Sequence, residues 1–244
     1  MWNNTQHAEA DADPYARARE EMIEHQLRRR GIVMHRVLEA MREVPRHLFV
    51  GHEHQEHAYA DEALPSSEGQ TISQPFMVAV MTQELDLRHG QRVLEIGTGT
   101  GYQTAVLAYL VGEEGGGGMV YTIEVVPALA EGARRRLEAM EVRNVRYFVG
   151  DGSAGWPAEE GGEPEMFDRI LVTAGAPEVP APLVEQLRTG GVLIVPIGRG
   201  ETQTLVKVVK LPQGLEQTEV LACRFVPLLG RHAWNAEEYE RSRG

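Results

Sequence analysis

The segment Val93-Leu94-Glu95-Ile96-Gly97-Thr98-Gly99-Thr100-Gly101-Tyr102 joins an apolar run to one carboxylate and three alternating glycines. Val93, Leu94 and Ile96 suit a buried strand. Gly97, Gly99 and Gly101 let the backbone turn tightly and come close to a ligand that a Cβ would repel. Tyr102 to Ala108 then reads as a helix whose first N–H groups point back at the turn. The segment is expected to seat a nucleotide-like cofactor; the bland alternative is a turn that uses glycine for packing alone.

Spacing separates two kinds of cofactor. The dinucleotide fingerprint G-x-G-x-x-G requires a third glycine where Tyr102 stands. Glu95-x-Gly97-x-Gly99-x-Gly101 instead resembles the acidic-residue-plus-three-glycines pattern of class I methyltransferases, which use S-adenosyl-L-methionine.

Outward from this turn the chain alternates. Strands are expected at Val93–Ile96, Met119–Ile123, Val145–Val149, Arg169–Val172 and Val192–Ile197. Helices are expected between them at Tyr102–Val111, Ala128–Met140 and Pro182–Leu187. This is the pattern of an α/β protein with a doubly wound, Rossmann-like, mostly parallel sheet. Thr204–Val209 and Glu219–Phe225 flank Leu211-Pro212-Gln213-Gly214, which predicts an antiparallel C-terminal strand pair. Upstream, Tyr15–Arg30, Met34–Val44 and Pro75–Leu85 show helical spacing. The organisation expected is a disordered tail over 1–13 and one domain over 14–244. Within it, 14–74 forms an N-terminal helical cap, 75–224 the core and 225–244 a C-terminal tail. The Gly115–Gly118 run reads as a surface loop, with no Lys-Ser/Thr after it to make a phosphate loop.

In a doubly wound sheet, ligands lie outside the carboxyl ends of the strands. Glu124 ends the second strand 25 positions beyond Gly99, near the separation of about 20 expected for a ribose-binding carboxylate. Its bland reading is a carboxylate at the start of the helix after Pro127. Asp151, between Gly150 and Gly152, ends the third strand and could accept from an adenine amino group; alone it would be an Asp-Gly turn. Thr173-Ala174-Gly175-Ala176-Pro177 follows the fourth strand where substrate-facing groups are expected. It lacks the Asn/Asp-Pro-Pro-aromatic run of nitrogen-methylating enzymes, which favours an oxygen acceptor.

From about Met22 to Trp234 the sequence resembles the protein-L-isoaspartate (D-aspartate) O-methyltransferase family. The resemblance runs through Pro45-Arg46-His47-Leu48-Phe49-Val50, Thr71-Ile72-Ser73-Gln74-Pro75, Val93–Ala108, Gly150-Asp151-Gly152, Leu187–Gly198 and Phe225-Val226-Pro227-Leu228. It implies S-adenosyl-L-methionine as cofactor, isoaspartyl peptides and proteins as partners, and Ser73 as the active-site serine. Thr71, Ile72, Glu95, Gly97, Thr98, Gly99, Gly101, Glu124, Asp151 and Gly152 are then expected around the cofactor. Without the resemblance, Ser73 would read as the N-cap of the helix starting at Pro75. Leu229 stands where animal members carry a hydroxyl residue after Val-Pro-Leu. A cofactor- and peptide-binding module without turnover, and a methyltransferase for another oxygen acceptor, remain the competing readings.

Bulk properties bound the partners. With 36 acidic against 24 basic residues the formal net charge is −12, which opposes nucleic acid as a substrate. Arg28-Arg29-Arg30 and Arg134-Arg135-Arg136 read as solvated helix faces. The single cysteine, Cys223, excludes an intramolecular disulfide framework. No run reaches membrane-spanning length and the N-terminal region has no apolar signal core, so a cytoplasmic protein without a membrane partner is expected. A monomer is expected. The histidines at 47, 52, 54 and 57 invite a metal reading, but methyl transfer needs no metal and no helical His-x-x-x-His pair is clear.

Overall fold

The computed structural model describes residues 13–112, 117–158, 162, 164–235, 237 and 239. Residues 1–12 of the tail expected over 1–13, Gly115 and Gly116, and residues 240–244 therefore lie outside the described residues.

Seven strands form the main sheet: β3 (Arg92–Ile96), β4 (Met119–Glu124), β5 (Val145–Val149), β6 (Phe167–Val172), β7 (Leu187–Ile197), β8 (Gln203–Leu211) and β9 (Gly214–Cys223). A separate two-stranded hairpin, β1 (Leu64–Pro65) with β2 (Thr71–Ile72), precedes them. The sheet order is β5-β4-β3-β6-β7-β8-β9. Pairings from β5 to β7 are parallel, and β8 and β9 close the sheet antiparallel. The chain leaves β3 to build β4 and β5 on one side, then returns to lay β6 on the other. The order reverses at β3, so the ends of β3, β4 and β6 open a crevice there.

Alternation in β3 sends Val93 to one face and Leu94 and Ile96 to the other, and each face has its own core. On the first face, α2 (His35–Glu43), α3 (Pro75–Leu85), α4 (Tyr102–Val111) and α5 (Pro127–Ala139) contribute Val37, Leu38, Met81, Val106 and Leu137. The same cluster holds Met22, Leu27 and Phe49, so the N-terminal segment shares its core with the sheet. The second face is covered by Trp156, by Leu183 of α6 (Ala181–Gln186), and by Leu228.

Most expected elements are present, with four differences. The helix expected over Tyr15–Arg30 is α1 (Ala16–Glu21) followed by a π-helical turn, Met22–Leu27, and a 3₁₀ turn, Arg28–Arg30. The wider turn brings Met22 and Leu27, five residues apart, into the core with Ile23, and the Arg28 N–H bonds to the Ile23 carbonyl. β7 begins five residues before Val192, because Leu187 pairs with Phe167 beyond a register shift. The exposed Arg188-Thr189-Gly190 hides that extension from any hydrophobic pattern. β9 covers Gly214–Cys223 rather than Glu219–Phe225; an edge strand exposed along most of its length carries no alternation to read. The β1–β2 hairpin lies in a stretch that reads as irregular, and it presents Thr71-Ile72-Ser73 at the sheet's crevice.

Candidate active site

The glycine turn is built by positive φ: +97° at Gly97, +53° at Gly99 and +89° at Gly101. Each glycine has a different reason. A Cβ on Gly97 would overlap the Oγ1 of Thr173, whose hydroxyl lies 3.0 and 2.8 Å from the Ile96 and Gly97 carbonyls. A Cβ on Gly99 would meet no protein atom within 4 Å and would project into open space. Gly101 is the N-cap of α4, and a Cβ there would press on Ala133 and Leu137 of α5.

Glu124 closes this turn from the next strand. Its Oε2 accepts from the Gly99 N–H at 2.9 Å and its Oε1 from the Val126 N–H at 3.0 Å. Val126 is the N-cap of α5, so both readings of Glu124 meet in one side chain: it steadies the helix start and lines the crevice. Each carboxylate oxygen keeps a further lone pair for a ligand. Arg136 adds a brace from α5, donating to the Thr100 carbonyl at 3.2 Å. Its neighbours Arg134 and Arg135 instead pair with Glu138 and Glu131 on the exposed face, as a solvated run should.

On the opposite rim stand Thr71, Ile72 and the half-buried Ser73. The N-cap of α3 is Gln74, with Pro75 as first helical residue and no side-chain cap bond. The cap reading of Ser73 is thereby corrected: Pro75 supplies no N–H at the helix start, and Ser73 sits one position too early. The third wall is Val226-Pro227-Leu228, held to the loop after β6. Gly175 donates to the Val226 carbonyl at 2.7 Å and Leu228 to the Gly175 carbonyl at 2.8 Å. Gln203 of β8 secures the approach, accepting from the Phe225 N–H at 2.8 Å.

These walls enclose a cleft of about 210 Å³. It brings together eight of the expected residues: Thr71, Ile72, Ser73, Gly97, Thr98, Gly99, Glu124 and Gly152. Three others stand outside the lining. Gly101 serves helix packing, as above. Glu95 is fully buried, its Oε2 accepting from Thr104 at 2.5 Å and Thr122 at 2.7 Å. Asp151 is held by three hydrogen bonds within the protein. Its Oδ1 accepts from the Ser153 N–H and hydroxyl at 2.9 and 2.6 Å, and its Oδ2 from the Arg231 N–H at 2.8 Å. Burial raises its pKa, but these bonds outweigh burial and hold the carboxyl below its ordinary value. The His232 N–H reaches Ser153 Oγ at 3.0 Å, and Gly230 has no room for a Cβ against Asp151. Asp151 therefore anchors the C-terminal segment, whose Leu228 and Leu229 complete the cleft.

Thr173 was expected in a substrate-facing loop rather than against the glycine turn, and Arg136 and Leu229 were not singled out as site residues by the sequence. A hydroxyl residue directly after a strand opposite a glycine turn is a weak signal for Thr173. Nothing local marks Arg136 apart from its two neighbours. Within the histidine cluster, His47 stacks on Tyr15 at 4.2 Å between ring centres and meets the Tyr59 hydroxyl at 2.9 Å. Among the described residues no group of three or more His, Cys, Asp or Glu is placed to hold a metal ion.

A glycine turn at the reversal of a doubly wound sheet, answered by an acidic residue at the end of the neighbouring strand, defines a class I methyltransferase. Residues 17–233 match the family model described as Protein-L-isoaspartate(D-aspartate) O-methyltransferase, and the chain belongs to that family. It is 48% identical over 227 residues to the protein-L-isoaspartate O-methyltransferase of Methanoculleus marisnigri, covering 93% of this chain and 98% of that one. The corresponding protein of Magnetococcus marinus is 51% identical over 209 residues, covering 85% and 87%. Among solved structures, a protein-L-isoaspartate O-methyltransferase superposes with a TM-score of 0.78 at 33% identity, covering 91% of this chain and 69% of that one. A Plasmodium falciparum structure assigned to the same activity, in complex with S-adenosyl-L-homocysteine, superposes with a TM-score of 0.76 at 29% identity, covering 87% and 99%.

Proposed function

We propose that this protein methylates the free carboxylate of L-isoaspartyl residues, the α-carboxylate, and of D-aspartyl residues in damaged proteins, with S-adenosyl-L-methionine as donor. The observation that carries the reading is the shared cleft, where Ser73 faces a glycine cradle and Glu124. The cradle fits the donor. Gly99 leaves open the volume a side chain would fill, and Gly152 lies so close to Ile96 that only glycine fits. Gly97 to Gly99 and Glu124 would hold the amino-acid and ribose parts, and Gly150, Gly152 and Val125 would flank the base. When bound, the donor supplies a methyl group already activated on a sulfonium sulfur.

An isoaspartyl α-carboxylate is ionised at neutral pH, so its oxygen needs no general base. The protein's work is alignment and exclusion of water. Among the described residues no hydrogen bond engages the Ser73 hydroxyl, which leaves it to donate to the substrate carboxylate. The main chain of Val226–Leu228 offers an extended rim for a peptide, so recognition runs through backbone groups and tolerates varied sequences. The methyl ester then closes to a succinimide without the enzyme, and hydrolysis yields normal aspartate in part.

No helix among the described residues is long and apolar enough to cross a membrane. The net charge of −12 favours polypeptides over nucleic acid as substrates, and the reading adopted is of a cytoplasmic monomer. The test is transfer of labelled methyl from S-adenosyl-L-methionine to an isoaspartyl peptide, beside its aspartyl counterpart. Base-labile label in the isoaspartyl peptide alone is expected; equal or absent labelling of both sinks the assignment.

A further inference from the structure

Glu95 is the penultimate residue of β3, two positions before Gly97, yet it is absent from the cleft wall. The side chain is fully buried. Both of its partners are hydroxyls on one oxygen, Thr104 of α4 and Thr122 of β4, while Oε1 is buried with no partner. The Thr122 hydroxyl also meets that of Thr98 at 2.6 Å, and Thr98 lines the cleft. Two threonine hydroxyls in series, those of Thr98 and Thr122, thus join the cleft to a buried carboxyl.

The charged groups around Glu95 are of one sign. Glu124 at the end of β4 acts on it as a like charge, and the Tyr147 phenol of β5 feels Glu95 in turn. No cation is among the groups acting on it. Burial, reinforced by Glu124 and opposed by the two threonine hydroxyls, pushes the carboxyl up to about 8. At neutral pH Glu95 is therefore mostly protonated, and a positive charge entering the cleft would favour its ionised form.

Resting on the cofactor assigned above, we propose that Glu95 is a positioning residue that distinguishes the charged methyl donor from its uncharged product. The donor carries a sulfonium cation and the product a neutral thioether. Donor binding draws a proton from Glu95 to solvent, and the carboxylate left behind stays on the Thr104 and Thr122 hydroxyls. Methyl transfer removes the sulfonium charge from the cleft, and Glu95 recovers a proton from solvent. Donor is held more tightly than product by this amount, and only where Glu95 can ionise.

The test measures dissociation constants for S-adenosyl-L-methionine and S-adenosyl-L-homocysteine by calorimetry from pH 6 to 9. The two ligands share their amino-acid and adenosine ends, so the ratio of product to donor constants isolates the sulfonium. That ratio is expected to rise with pH by about tenfold, equivalent to one pKa unit of difference between the two complexes. In Glu95→Gln the ratio should be flat. Thr98→Val, which cuts the chain at the cleft and leaves the buried carboxyl in place, should blunt the rise. At pH 7, donor binding should release more protons to buffer in the native protein than in Glu95→Gln. A flat ratio in the native protein, or an equal rise in Glu95→Gln, overturns the inference. Failure of both ligands to bind the native protein overturns the cofactor reading, and this inference with it.

Discussion

The Thr173 hydroxyl occupies the space that a side chain on residue 97 would need, and it hydrogen-bonds at the Ile96 and Gly97 carbonyls that shape the turn. Gly97 is thus required twice, by its φ of +97° and by Thr173. Gly97→Ala must bear the left-handed penalty of about 1–2 kcal/mol and a steric overlap. Its affinity for S-adenosyl-L-homocysteine should fall by more than about tenfold. Thr173→Val keeps the shape and loses about 1 kcal/mol of hydrogen bonding, so a loss of about fivefold is expected. Calorimetric titration of both variants measures this, and native affinity in Gly97→Ala would remove the turn from the cofactor site.

Ser73 caps nothing, so its removal should separate chemistry from stability. Ser73→Ala should lower isoaspartyl methylation by about a hundredfold, the scale of losing one positioning donor. Cofactor affinity should stay within about twofold and the melting temperature should not move. Native turnover in Ser73→Ala would take the serine out of the mechanism.

Asp151 ties two distant stretches together, accepting from Ser153 and from Arg231. Asp151→Ala leaves those donors unmatched, at about 1–3 kcal/mol, which lowers the melting temperature by about 2–10 °C at pH 7. Amide exchange at residues 230–234 should quicken. The carboxyl sits below its ordinary value of 3.8, so its contribution is complete above that pH and fades as pH falls through the lower native value. The deficit of the variant should therefore shrink in acid, and a deficit constant down to pH 2 would argue against the carboxylate as its source.

His47 gives the cap its own pH dependence. Burial lowers its pKa from 6.5, Arg19 lowers it further, and Asp13 opposes them. Its neutral ring stacks on Tyr15 and meets Tyr59, whose hydroxyl also accepts from Arg19. Between pH 6.5 and the lower native value the unfolded chain takes up a proton that the folded one does not, so stability falls as pH drops through that window. Melting temperatures measured from pH 8 to 5 should decline less in His47→Gln than in the native protein. Parallel curves would show that other groups dominate.

The parallel sheet was legible because buried strands repeat short apolar runs between helical spacings, a local property of residues such as Val93–Ile96 and Met119–Ile123. The glycine turn was legible because positive φ and close approach leave a residue-type signature. The bounds of β9 and β7 were not: β9 faces solvent over most of its length, and the start of β7 is polar and exposed, so burial imposes no pattern there. The π turn at Met22–Leu27 escaped for a related reason, since its period is set by what the core accepts.

By itself the sequence determined the class of fold and the glycine cradle, and its family resemblance pointed to Ser73, which the structure sets in the same cleft. The direction of each carboxylate was decided only in three dimensions. Glu95, Glu124 and Asp151 all stand at or near the carboxyl ends of neighbouring strands, yet Glu124 lines the cleft, Glu95 is buried behind it, and Asp151 holds the returning C-terminal segment. Which donors surround a carboxylate depends on residues as far away as Arg231, and no local spacing encodes that encounter.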